Sequence, residues 1–169
     1  MTATTGIKKI SFLWAFVCIS AMSYGQSKTV FPYQLTKADI PQGFMLSGPF
    51  SPDDKALSLS ANNGIVKDKK LISQIYEKMN VNAINEVYVK SYVPGEHAED
   101  ALEFYIVQYK SKQLLDKEQL KLPRDKGSRF LKKNSYLFVI RGSGYGFVKQ
   151  VNVIADRLKQ RWNLTDISN

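Results

Sequence analysis

The sequence predicts an α+β fold: a mostly antiparallel sheet of four to five strands with about four helices packed against it, the last helix long and amphipathic. Three observations lead there. Two stretches of period-two alternation, 86–93 and 102–109, are joined by a polar loop, which is the pattern of an antiparallel pair. Two further apolar runs, 129–131 and 135–141, flank the turn Lys132-Lys133-Asn134 as a hairpin would. Near the C-terminus Phe147, Val151, Ile154, Leu158 and Trp162 recur at steps of three and four, with Lys149, Asp156, Lys159 and Arg161 off the stripe. Strands joined by hairpins and interspersed with amphipathic segments favour helices layered on an antiparallel sheet.

Taken in chain order, residues 1–25 read as a secretory signal. Lys8 and Lys9 form a positive start, the 13 residues 10–22 form an apolar core, and Ser23-Tyr24-Gly25 offers small residues for cleavage at Gly25–Gln26. The run falls short of the roughly 20 apolar residues a membrane span needs. This leader resembles bacterial secretory signals. Ala15-Phe16-Val17 before Cys18 does not match a lipoprotein signal, so the chain's single cysteine is expected to leave with the leader. The domain is then extracytoplasmic, periplasmic or secreted, with no transmembrane segment after cleavage and no disulfide.

Residues 26–36 have no period and read as an extended N-terminal arm, and 37–169 read as a single α+β domain. Pro41 and Gly43 turn the chain into a first strand at 44–46. Ser51, Pro52, Asp53 and Asp54 carry helix-start chemistry and Asn62-Asn63-Gly64 a stop, predicting a helix over 52–61. A second helix follows Asp68 as its cap, with Ile72, Ile75, Tyr76 and Met79 on one face, and ends near Asn80. In the central pair Val87, Val89 and Val93 share one face, and Leu102, Phe104 and Ile106 face the core. Tyr88, Tyr92, Tyr105 and Tyr109 are then expected opposite the aliphatic stripes, under helix cover. A third helix at 111–120 is closed by Pro123.

Little in the residue inventory points to catalysis. His97 is the only histidine, so zinc and Ser-His-Asp chemistry lack partners, and Gly142-Ser143-Gly144 fails the nucleophile-elbow pattern. Glu96, His97, Glu99, Asp100 and Glu103 could gather around calcium or serve a two-carboxylate hydrolase. They lack the calcium-loop spacing, however, and a solvated hairpin loop explains them more simply. Gly142-Ser143-Gly144-Tyr145-Gly146 has neither dinucleotide nor triphosphate-loop spacing and reads as a connector. No cofactor, metal or specific nucleic acid is expected. Asn163-Leu164-Thr165 matches a glycosylation sequon but reads as helix-end chemistry.

Charge is the remaining signal. The chain has 24 Lys and Arg against 15 Asp and Glu, and loss of the leader removes only Lys8 and Lys9, leaving a formal +7. Lys110, Lys112, Lys117, Lys121, Arg124, Lys126, Arg129, Lys132 and Lys133 face only Asp116, Glu118 and Asp125 within one segment, a local +6. These groups form either an anion-facing patch or an ordinary solvated perimeter. The expected function is a non-enzymatic domain that binds an anionic cell-envelope component, a polysaccharide or lipid head group, through this segment. A small carboxylate hydrolase and a structural protein-protein interaction domain are the alternatives.

Overall fold

The structure is a computed structural model that describes residues 31–48, 53–95, 100–123, 125–143 and 145–168. The leader, its cleavage point, Ser51, Pro52, Glu96, His97, Glu99, Arg124 and Gly144 lie outside the described residues. The strands are β1 (Met45–Leu46), β2 (Ile65–Val66), β3 (Ile84–Val93), β4 (Leu102–Tyr109), β5 (Ser128–Lys133), β6 (Tyr136–Gly142) and β7 (Thr165–Asp166). They form one antiparallel sheet in the order β1-β3-β4-β6-β5-β7, with β2 also paired to β3.

The sheet therefore has seven strands, not the four to five expected. The strands the sequence did not reveal, β2 and β7, are two residues long, too short to establish an alternation. Only tertiary pairing defines them. β7 exists because Asn163 takes a left-handed conformation (φ 50°) and reverses the chain, placing Thr165 opposite Lys132. This is the helix-end role expected of the sequon. Asn134, also left-handed (φ 53°), turns β5 into β6.

Apolar residues cover both faces of the sheet. Val87, Val89, Tyr105, Val107, Tyr109, Phe130, Leu137 and Val139 line the first face, under residues 59–83 and Leu115. Phe104, Ile106, Leu131, Phe138 and Ile140 line the second, under Val151, Ile154, Ala155 and Leu158. The register sets this division: Val89 lies opposite Tyr105, and Tyr88 opposite Ile106. The four tyrosines consequently do not share a face. Tyr105 and Tyr109 belong to the first core, while Tyr88 and Tyr92 pack on the second. One strand's alternation cannot say which of its faces meets which face of its neighbour.

Among the described residues four α-helices accompany the sheet: α1 (Asp54–Leu57), α2 (Lys69–Ile72), α3 (Lys112–Glu118) and α4 (Val148–Trp162). The apolar stripe of α4 is inward, as its spacing requires. Asp68 caps α2, accepting from the backbone N–H of Lys70 and Leu71, but α2 stops at Ile72 instead of running to Asn80. Beyond it Gln74 and Ile75 donate to carbonyls three residues back, and the Gln74 side chain bridges to Leu57 and Leu59. Ile72, Ile75, Tyr76 and Met79 are nonetheless all buried. The helix expected over 52–61 is likewise shorter, α1 giving way to a 3-10 turn at Ser60–Asn62.

From Phe31 the extended N-terminal stretch lies on the second face. Phe31 stacks against Tyr88 and meets Tyr136 edge-on, and Tyr33 contacts Phe138 and Trp162. Asp39 fastens it: the carboxylate accepts from the Thr36 N–H and hydroxyl and pairs with Arg161 of α4. Burial raises the Asp39 carboxyl, but the Thr36 N–H, the Thr36 hydroxyl and Arg161 outweigh it and hold the group below its ordinary 3.8. A carboxylate with a lowered folded pKa stabilises the fold above the unfolded pKa and loses that contribution as pH falls through the folded one.

Two outcomes are expected in thermal and urea unfolding. Asp39→Asn destabilises by about 1–2 kcal/mol at neutral pH, and the gap to the parent narrows below about pH 4. Gly142→Ala destabilises by about 1–3 kcal/mol, since a Cβ there meets the Phe147 Cβ at 2.6 Å and the packed 3-10 turn must move.

Candidate functional site

Ser111 caps α3 through its hydroxyl, which accepts from the Leu114 N–H at 3.3 Å, and the helix turns Leu115 and Glu118 inward. Glu118 is only 2% exposed. One carboxylate oxygen accepts from the Tyr76 hydroxyl at 3.1 Å and from the Asn80 N–H at 2.9 Å, and the other meets Lys121 Nζ at 3.4 Å. The Tyr76 and Tyr109 hydroxyls lie 3.3 Å apart. Burial, together with the neighbouring tyrosine and Glu118, pushes Tyr76 far above the ordinary tyrosine range. Both hydroxyls stay protonated and act as donors in a buried network that ties α3 to the 76–80 turn.

That tie brings together lysines distant in sequence. Lys78 sits between the two Glu118 ligands Tyr76 and Asn80, while Lys117 and Lys121 flank Glu118 itself. The Lys110 N–H donates to the Ala83 carbonyl, which joins the end of β4 to the same turn, and Lys69 Nζ reaches the Ile84 carbonyl there. Lys78, Lys110, Lys112, Lys117 and Lys121 are exposed. Of the local carboxylates Glu118 is buried, Asp116 pairs with Lys112 and Lys132, and Glu77 is exposed beside Lys78. Lys112 and Lys132 hold the Asp116 carboxyl below its ordinary range.

The nine basic residues singled out in the sequence are thus divided. Lys110, Lys112, Lys117 and Lys121 gather at the α3 end. Lys132 is drawn in by Asp116 and Gln119, and Lys133 donates to the Trp162 carbonyl at the C-terminus of α4, 2.7 Å away. Arg129 points to the other face, where it binds Asp166 and Asn152 with Asp156 3.9 Å away. Lys126 precedes β5, at the sheet end opposite Lys110. The sequence reading missed Lys69 and Lys78, and it did not foresee Leu120 standing 85% exposed beside Lys117 and Lys121. A signal for Lys78 existed, because inward Tyr76 and Met79 leave Glu77 and Lys78 outward. Which element that outer face adjoins is not locally encoded.

Two other polar places compare less well with an anion site. A groove of about 510 Å³ between β5 and α4 is lined by Asp125, Lys126, Ser128, Arg129 and Asn152. Its arginine is already held by carboxylates. Burial raises the Asp166 carboxyl, but the Ser168 N–H, Arg129 and the Ser168 hydroxyl bring it below its ordinary range, the wrong direction for a general acid. At the same sheet end Ser91, Glu103, Arg141 and Ser128 form a polar row across four strands. Arg141 Nε donates to Glu103 at 2.8 Å, and its other nitrogens reach the Ile75 carbonyl and the Tyr105 hydroxyl. This clamp fastens the covering layer to the sheet. Asp100 is exposed.

Among the described residues no group of three or more His, Cys, Asp and Glu side chains is placed to hold a metal, and no helix is long and apolar enough to cross a membrane. No protein-family model, curated protein or solved structure matches the chain. Replacing Glu118 with Ala strands the buried Tyr76 hydroxyl and releases the Asn80 N–H, at a cost of about 1–3 kcal/mol. Hydrogen exchange should then show the 76–81 turn and α3 opening before the central strands do.

Proposed function

We propose that the chain is a non-enzymatic extracytoplasmic domain that associates with an anionic component of the cell envelope through the lysine-bearing end built on α3. The observation that carries this reading is the convergence of Lys78, Lys110, Lys112, Lys117 and Lys121 from separate stretches, a cation excess over the buried Glu118, the paired Asp116 and the exposed Glu77. An anionic surface approaching this end meets a cation excess, with Lys112 and Lys121 shared with Asp116 and Glu118 and with Glu77 the exposed acid beside Lys78. The signal-like residues 1–25 support the compartment, and the +7 balance without the leader supports the partner's sign. The carboxylate-hydrolase reading draws less support, because Glu103 is engaged by Arg141 and Asp166 by Arg129.

Binding to dextran sulfate, followed by fluorescence anisotropy, tests the reading. Affinity should fall by about tenfold or more between about 50 and 200 mM salt, through release of counterions. Lys117→Glu with Lys121→Glu should weaken binding by about tenfold or more, each lost lysine being worth ~1 kcal/mol at an anionic surface. Lys126→Glu, at the far end of the sheet, should change it less than about twofold, because screened charges beyond about 10 Å contribute little. Salt-independent binding, or equal effects at both ends, would overturn the proposal.

A further inference from the structure

Leu120 has the highest exposure, 85%, among the exposed large apolar side chains of the described residues. Its outward posture is built into the turn. Glu118 is anchored in the buried tyrosine network, Gln119 accepts from Lys132 Nζ at 2.6 Å, and Leu122 packs against the first core. The residues on either side are therefore tied down, and the 3-10 turn Gln119–Lys121 carries Leu120 at its outer side. Lys117 precedes it by three positions, on the same helical face, and Lys121 follows it directly. The bond between the Asn80 N–H and Glu118 brings the 78–80 turn, with its exposed Lys78, against the same element.

An aliphatic tip flanked by Lys117 and Lys121 discriminates among anionic partners. A sulfated or carboxylated polysaccharide answers the lysines but offers the leucine no apolar medium. A bilayer answers both, because hydrocarbon begins within about 5–10 Å of the phosphates. Lysine stems can lie along the boundary while their ammonium groups stay at head-group level. Resting on the envelope-binding reading above, we infer that the α3 end docks peripherally on anionic lipid bilayers, with Leu120 entering the interface and Lys78, Lys110, Lys117 and Lys121 engaging lipid phosphates. One apolar side chain and a handful of lysines make this attachment weak and reversible, and dependent on both components.

The test uses protein recovered from the extracytoplasmic fraction of cells expressing the full chain, so that parent and variants share the same processing. Sedimentation with phosphatidylcholine vesicles, with and without phosphatidylglycerol, is compared with dextran sulfate binding. The parent should bind only the vesicles that contain phosphatidylglycerol. Leu120→Ser should lower that binding about tenfold, the effect of leaving one leucine in water, while dextran sulfate binding changes less than about twofold. Leu120→Trp should shift its emission to the blue on addition of the anionic vesicles. Unchanged melting temperatures establish that these exposed substitutions leave the fold intact. Vesicle binding that ignores Leu120→Ser would overturn the inference. Binding to dextran sulfate without binding to anionic vesicles would also overturn it while leaving the envelope-binding proposal standing. Binding to neither would remove both.

Discussion

Burial of the antiparallel sheet on both faces is the constraint from which the rest of the molecule follows. Antiparallel sheets commonly keep one face wet and show it as alternation of apolar and polar residues. β4 reads Leu-Glu-Phe-Tyr-Ile-Val-Gln-Tyr and β6 reads Tyr-Leu-Phe-Val-Ile-Arg-Gly, so over their middle four residues neither strand offers a polar face. Two covering layers are therefore obligatory. The irregular segment from Leu59 to Ala83 with α3 covers the first face, and one long helix with the stretch from Phe31 onward covers the second. The irregular layer can cover a sheet because its apolar residues are spaced to point one way even where its backbone is not helical, as Ile72, Ile75, Tyr76 and Met79 do.

Two-sided burial also dictates where polar groups sit and what they must do. Polar residues that this packing takes out of water need partners. Arg141 meets Glu103 and the Ile75 carbonyl at one end, Glu118 meets Tyr76 and Asn80 at the other, and Asp39 meets Thr36 and Arg161 outside α4. Each pairing joins a covering segment to another element. In this fold the buried charges act as fasteners for layers that lack continuous backbone hydrogen bonding of their own. The same role explains why Glu103, a candidate acid in the sequence, is engaged structurally.

Much of this was legible in the residues, and the parts that were not share a cause. The α4 stripe, the Asp68 cap, the central antiparallel pair and the β5–β6 hairpin are local patterns, and the structure contains all four. The two-residue strands β2 and β7 are defined by what they pair with. The tyrosine faces depended on the register between strands, which alternation within one strand does not contain. The segment after Ile72 kept helical spacing while Gln74 diverted its backbone and side-chain bonding toward Leu57 and Leu59, a contact across 15 to 17 residues. Local pattern reported burial correctly there, and backbone geometry incorrectly.

The basic segment illustrates the same limit for function. Counting charges from Lys110 to Lys133 treats neighbours in sequence as neighbours in space, yet β5 spans roughly 20 Å at about 3.3 Å per residue and its side chains alternate between faces. Arg129, Lys132 and Lys133 are distributed along that strand and over both sides of it, with Lys126 before it, and these three are spent on Asp166, Asp116 and the α4 carboxyl end. What remains concentrated is the part carried by a helix and its following turn, where Lys117, Leu120 and Lys121 lie within about one turn of each other on the outer side. That face gains Lys78 from across the Glu118 network. The unit we propose to act is thus an outward helix end and turn, with Leu120 85% exposed, and not a cleft, and that difference matters to the chemistry. A cleft encloses a small ligand and strips its water, whereas a protruding turn meets an extended surface, gains by summing many weak contacts, and exchanges quickly. An outward leucine on such a turn is a liability in water and becomes an asset only where the extended surface has an apolar interior.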